Sequence, residues 1–289
     1  MAEGHDNPLS HVVDHNTLEI PGLGHEIPLP VIDLGIARFQ VSRFMVMEVL
    51  AAILVALVVI PLARHVQRNR VTRGPFMNIF EAIVLFIRDG IARPAIDIGH
   101  GEEHGHGHGA EREHHRTSDV FLPYLWTLFF FILFCNLLGM LPGGASATGN
   151  LNVTGTLALL TLGVVLLAGM RELGPVGFWI GIVPKMDVPI VLKPILWILM
   201  FVIEVAGLLI RHVVLAVRLF ANMLAGHIVL AVILGFIAQA AGIFTYLVTP
   251  ASIAGVVALS LLELFVAFLQ AYIFTFLAAL FIGMAAHPH

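Results

Sequence analysis

Charge is scarce in this chain: 12% of its 289 residues are Asp, Glu, Lys or Arg, against about 25% in an ordinary soluble domain. Hydrophobic residues make up 58%, and the mean hydropathy is +0.94. Folded in water, such a chain would expose large apolar areas with too few charges to cover them, which excludes a freely soluble globular domain. In a bilayer the lipid is the missing apolar solvent. Cysteine is almost absent. Cys135 is the only one, so no intramolecular disulfide forms and the redox compartment is not legible. The first forty residues, polar and rich in Pro, Gly and His, lack the apolar run of a secretory signal. The first hydrophobic run, from near Phe44, therefore reads as a retained span. There is no phosphate-binding glycine loop, HExxH pair or nucleophile elbow, so soluble-enzyme readings have no support. No cofactor, resident metal or nucleic acid is expected.

What is there is a series of long apolar segments. The expected fold is all-α: a polytopic integral membrane protein with about five transmembrane helices and an additional interfacial helix. Residues 1–43 read as an extramembrane N-terminal tail with a short folded or interfacial part, and 44–63 as the first transmembrane helix, ended by Pro61 and a basic cluster. Residues 64–119 form a cytoplasmic-side loop. It holds an interfacial helix over 76–92, where apolar residues recur at helical spacing but Glu81, Arg88 and Asp89 interrupt them, and a His-rich, low-complexity segment over 99–116. Residues 120–289 form a domain of four membrane helices, near 120–141, 154–170, 194–240 and 251–285. The stretch 194–240 would reach about 70 Å as one helix, whereas an upright span needs only about 20 residues. It must be strongly tilted, bent or split, and the last helix is oversized too.

Basic residues set the topology. Arg64, Arg68, Arg70, Arg73, Arg88, Arg93, Arg112 and Arg116 are eight of the fifteen Lys and Arg. Arg171, Lys185 and Lys193 follow the third span, and the turns at 142–153 and 241–250 have none. Five crossings with the N-terminus outside and the C-terminus inside satisfy this pattern, against the contrary pull of Arg38 and Arg43.

The segment 194–240 also carries Glu204, Arg211, His212, Arg218, Asn222 and His227. A charge at the centre of a span costs about 2.5–3.5 kcal/mol even on a lenient scale, so such groups usually face a bundle interior, water or another protein. Glu204, Arg211 and Arg218 are spaced by seven, and Asn222 follows by four, so these four lie within about 40° on one stripe. His227 falls on nearly the opposite face. Arg211 could snorkel to the interface, Glu204 could pair with it, and His227 could be a packing histidine. Arg218 is harder to explain structurally, because a guanidinium cannot shed its proton. The last helix adds Glu263 and Gln270, seven apart on one face. A glutamate in the run VVALSLLELFVAFLQAYIF is protonated, hydrated or paired with His227, and a poised acid and imidazole suit proton passage.

The run from Ala216 to His227, AVRLFANMLAGH, closely resembles the signature of the ATP synthase subunit a family, the stator proton channel of the membrane sector. Leu269–Phe274 (LQAYIF) and Asn136–Pro142 (NLLGMLP) resemble two further stretches of that family. The resemblance covers roughly 120–285, is weak over 1–75 and is absent over the His-rich loop. It implies that Arg218 is the arginine facing the carboxylates of the rotor c-ring. It also implies that Asn222, Glu204 and Gln270 line or hydrate two aqueous half-channels, with Glu263 and His227 as the acid–imidazole pair of the outer one. Some members carry the glutamate on the arginine helix and the histidine on the last helix. The reverse placement here, which resembles the mitochondrial relatives, supports spatial contact between 227 and 263. Where some bacterial members have an acid, this chain has Gly139. The implied partners are the c-ring, the peripheral-stalk b subunits, the rest of an F-type ATP synthase, the transported proton and the lipid bilayer. The implied location is a bacterial plasma (inner) membrane, and nucleotide chemistry would belong to partner subunits, leaving this one non-catalytic.

Two rivals are weighed against that. A membrane metal-ion transporter would use the histidines crowding 99–116, but their spacing is loose and Gly-rich, and the spans lack a convergent His/Asp/Glu cluster. A free-standing proton channel would face its polar stripe inward, whereas a stripe on one long helix asks for an external partner.

Overall fold

The computed structural model describes residues 17–19, 26–28, 31–33, 38–40, 42–69, 74–97, 117–141, 146–184, 189, 192–239 and 242–286. The His-rich segment 99–116 and most of the tail lie outside the described residues. Two short antiparallel hairpins precede the helices. β1 (Thr17–Glu19) pairs with β2 (Glu26–Pro28), and β3 (Val31–Asp33) pairs with β4 (Arg38–Gln40).

From residue 43 onward the described chain is α-helical and polytopic. α1 is Arg43–Asn69, α2 Pro75–Phe86, α3 Arg93–Ile96 and α4 Thr117–Gly139. α5 is Leu151–Leu173, α6 Pro175–Gly181, α7 Lys193–Gln239 and α8 Thr245–Ala286. A π-helical turn, Ile87–Ala92, joins α2 to α3, so the expected segment 76–92 is one part of a longer, changing helix. Five of these helices (α1, α4, α5, α7 and α8) are long and apolar enough to cross a membrane. In lipid a backbone N–H or C=O has no partner but its own helix, which is why every span is a closed helix.

Two helix ends lie beyond the expected ones. Proline normally stops a helix by removing a donor and crowding the preceding turn. Yet α1 runs through Pro61 to Asn69, past the expected end at 63, and α8 starts at Thr245, before Pro250 rather than after it. α7 is one continuous helix of 47 residues and α8 one of 42, about 70 Å and 63 Å long, so neither stands upright in a hydrocarbon core about 30 Å thick.

The described helices divide into two compact units. The first comprises Met1–Leu57, Phe131–Thr154 and Val217–Ala271. At its centre Ala51 of α1 packs on Cys135 and Leu138 of α4 and on Ala147 of the short 3-10 turn Ala147–Gly149, with Met47, Leu54, Phe131 and Phe134 around them. Small residues let these backbones approach closely, which is how helices gain attraction in lipid.

The second unit comprises Val58–Phe130, Gly155–Ala216 and Tyr272–His289. Polar ties hold its elements together. Trp126 Nε1 donates to the Val84 carbonyl at 3.1 Å, linking α4 to α2. Thr161 gives its one hydroxyl proton to the Leu157 carbonyl at 2.9 Å, so Tyr124 is the donor in their 2.8 Å bond, which links α4 to α5. Asp97, just after α3, accepts from the backbone N–H of Ser118 at 3.2 Å and from its hydroxyl at 2.8 Å, capping the first turn of α4. Ile87, Ile91 and Ala92 are buried, while Asp89, which takes hydrogen bonds from Arg88 and Arg93, is exposed.

Gly283 of α8 lies so close to the Ala95 carbonyl that an added Cβ would collide with it, and would come within 3.1 Å of Ile96 Cα. Gly283→Ala should therefore lower the melting temperature of the detergent-solubilised protein. Gly163→Ala, at a helical position with nothing within 4 Å, should leave it unchanged or raise it, since Ala is the better helix former by about 1 kcal/mol. Acid should loosen the π-helical turn. The Arg88 hydrogen bond, then the charges of Arg88 and Arg93, hold the Asp89 carboxyl below the usual carboxylate range. A carboxyl lowered in the folded state stabilises above its unfolded value, about 3.9, and that contribution is lost as pH falls through the lowered one. Hydrogen exchange over 87–96 should accordingly accelerate only below about pH 4, and Asp89→Asn should abolish that acid step.

Candidate functional site

α7 carries three of the four ionisable candidates, Glu204, Arg218 and His227, and α8 carries the fourth, Glu263. Leu215, Leu219 and Met223 are fully buried, and Ala216 nearly so. Arg218 and Asn222 sit at the edge of that apolar stripe, half-buried, as does His227 a turn further on. The Arg218 Nε is buried and has no hydrogen-bond partner among the described residues. Glu204 is half-buried and Arg211 is exposed, with its guanidinium 6.0 Å from the centre of the Phe281 ring. These two belong to the second unit, whereas Arg218, Asn222 and His227 belong to the first.

α8 turns a continuous buried face inward: Glu263, Ala267, Gln270, Ala271 and Phe274 recur at intervals of three and four residues. Glu263 is 7% exposed and Gln270 4%, so both polar side chains lie inside the protein rather than in lipid. Glu263 Oε1 and Gln270 Nε2 are buried without hydrogen-bond partners among the described residues. Both residues belong to the first unit, with Arg218, Asn222 and His227.

The Glu263 carboxyl packs directly on Gly226. A Cβ at 226 would collide with Oε1 and stand 3.0 Å from Cδ. The acid of α8 is thus seated on the residue immediately before His227 of α7, and the missing side chain makes room for it. The contact places an acid of one helix at the turn of another that carries an imidazole. Among the described residues, no three His, Cys, Asp or Glu side chains are grouped so as to hold a metal ion.

Sequence reasoning passed over three features. Gly226 is invisible as a seat until Glu263 lies against it. Asn136 joins Thr148 and Ser146 in a buried hydrogen-bond chain that links residues far apart in sequence. Glu48 sits half-buried in the first span, in electrostatic reach of Cys135. A lone carboxylate in the run MVMEVLAAIL was the available signal for it.

A sequence profile of the family described as ATP synthase A chain matches residues 109–283. The chain belongs to that family. It is 39% identical to ATP synthase subunit a of Chloroherpeton thalassium over 280 residues, covering 96% of this chain and 75% of the relative. It is 40% identical to ATP synthase subunit a of Myxococcus xanthus over 274 residues, covering 92% and 80%. To ATP synthase subunit a of Anaeromyxobacter dehalogenans it is 38% identical over 306 residues, covering 99% and 73%. The ATP synthase A chain family consists of membrane-embedded, proton-translocating subunits of F-type ATP synthases. With five helices able to span, this member is a multi-pass protein of an energy-transducing membrane.

The Gly226 seat carries its own test. In the assembled synthase, Gly226→Ala should lower proton-driven ATP synthesis on the order of tenfold or more, since small misplacements of a reacting group have such effects. Gly207→Ala, at a position with nothing within 4 Å, should leave it near wild type.

Proposed function

We propose that this subunit provides two aqueous half-channels that load and unload carboxylates on a rotor c-ring, with Arg218 blocking direct leak between them. A proton from the outer side reaches Glu263 and His227 and neutralises a ring carboxylate. The neutral site then turns through lipid. After nearly a full turn it meets the inner half-channel, hydrated by Glu204, and gives up its proton. Asn222 and Gln270 line the path near the arginine. Arg218 keeps its charge at every working pH, so it favours an ionised carboxylate beside it and repels a proton attempting the short cut. Each proton driven inward by 100 mV delivers about 2.3 kcal/mol, which an open short cut would dissipate.

The observation that carries this reading is Arg218 itself: a permanent cation in an apolar helix, with Nε buried and unpartnered among the described residues. Such a group asks for an anion or water that the described residues do not provide. In its most apolar 18-residue window α7 is 11% buried within the chain, below the 17% of α1 and α8 and the 50% of α4, which suits a helix whose outer surface meets a partner. The further partners in this reading are peripheral-stalk b subunits, and the location is the bacterial plasma membrane. The chain has no part in nucleotide chemistry.

The test is ATP synthesis driven by a proton gradient in liposomes holding the whole complex. Arg218→Ala should abolish synthesis while leaving the complex assembled, and should let protons leak passively through the membrane sector. Coupled synthesis at the wild-type rate in that variant would sink the mechanism.

A further inference from the structure

The buried hydroxyls and amide around Asn136 lie outside the mechanism above, yet they end on the helix that carries Glu263 and Gln270. Asn136 and Thr148 are fully buried and Ser146 is 4% exposed. Thr148 Oγ1 donates to Asn136 Oδ1 at 2.7 Å. Because a hydroxyl has one proton, Ser146 must be the donor in the 3.1 Å bond between Ser146 Oγ and Thr148 Oγ1. Asn136 Nδ2 in turn donates to the Ala267 carbonyl at 3.4 Å. The chain therefore runs one way, Ser146 to Thr148 to Asn136 to Ala267, and each bond polarises the next.

The orientation of the amide follows from the same count. A carbonyl only accepts, so the NH₂ of Asn136 must face Ala267, which leaves its oxygen for Thr148. The approach that makes this possible depends on Gly139, one turn beyond Asn136. A Cβ at 139 would stand 2.6 Å from Ser146 Cβ and 2.9 Å from Ser146 Cα, so any other residue would push the 146–149 turn away from α4. Ala147, between the two hydroxyl residues, is fully buried against Ala51, Cys135 and Leu138 and holds the turn from its other side.

Ala267 lies four residues after Glu263 and three before Gln270, on the same buried face of α8. We infer that Ser146, Thr148 and Asn136 form a positioning clip that fixes the height and rotation of α8 so that Glu263 stays seated on Gly226. The inference rests on the proposed role of Glu263. Apolar helix faces in lipid slide and rotate against one another with little directional preference, and a buried hydrogen bond to a backbone carbonyl supplies that preference. The other titratable or charged groups on the helices of this unit are Arg43 and Glu48 of α1, Cys135 of α4, Arg218 and His227 of α7, and Tyr246 of α8. The turn itself carries none, so the clip acts by geometry and not by charge.

The test follows proton-driven ATP synthesis by the whole complex in liposomes as a function of outer pH. Thr148→Val keeps the shape and removes the hydroxyl. It should lower synthesis about fivefold at the wild-type optimum and shift the midpoint of the outer-pH profile, because it leaves the buried Asn136 oxygen without its donor. Thr148→Ser, which keeps the hydroxyl, should restore both. A wild-type midpoint in Thr148→Val, or a Thr148→Ser as impaired as Thr148→Val, would overturn the clip. If Thr148→Val fails to assemble, Ser146→Ala decides: it should move the midpoint in the same direction, and an unmoved one overturns the clip equally. Glu263→Gln run in parallel should lose synthesis. Full synthesis there would overturn the role of Glu263, and the clip with it.

Discussion

A guanidinium keeps its proton at any pH a membrane meets, and Arg218 carries one into the middle of a 47-residue apolar helix. Most of the surrounding architecture can be derived from that constraint. A charge that cannot be neutralised needs polar company, and among the described groups that company is concentrated in one unit. Asn222, His227, Glu263 and Gln270 all belong to it with Arg218, although two helices supply them. Glu204 and Arg211 lie further back along the same helix, in the other unit. The two sets together occupy about half of that helix, from Glu204 to His227, a stretch comparable to one crossing of the hydrocarbon core.

Packing repeats one device at three places. At Gly226 and Gly283 an oxygen from elsewhere in the chain occupies the space that a Cβ would take, the Glu263 carboxyl and the Ala95 carbonyl, and at Gly139 the Ser146 side chain does so, with its Cβ at 2.6 Å and its hydroxyl at 2.8 Å. Lipid gives helices no hydrophobic reason to associate, so close backbone contact and short polar contacts must supply the attraction. Glycine provides both at once, because removing the side chain exposes a Cα–H to a nearby oxygen. The same device thus seats a structural hydroxyl, a candidate proton carrier and a backbone turn.

The spans were legible because apolar runs and their breaks are set by the bilayer itself, and the seven-residue spacing on α7 is simple helical arithmetic. Helix ends were less legible. Pro61 reads as a stop, yet it lies inside α1, and Pro250 lies inside α8 ahead of the expected start at 251. A short folded part of the tail was legible, but not its hairpins at 17–40, because strands of three residues carry too little alternation. Of the candidate site, the charged and amide side chains could be named from their cost in an apolar run. Gly226 and Thr148 could not, because their part depends on which distant residue lies against them.

The tie between Asp97 and Ser118 has a consequence for how this gene can change. It pins together two points twenty-one positions apart, so the helices on either side keep their spacing whatever lies between. Lengthening a connection whose ends are already held adds only about 0.6 kcal/mol of closure entropy per doubling. The stretch between those anchors is therefore the natural place for lineages to gain or lose residues, and for an experimenter to splice in an epitope without disturbing the membrane helices.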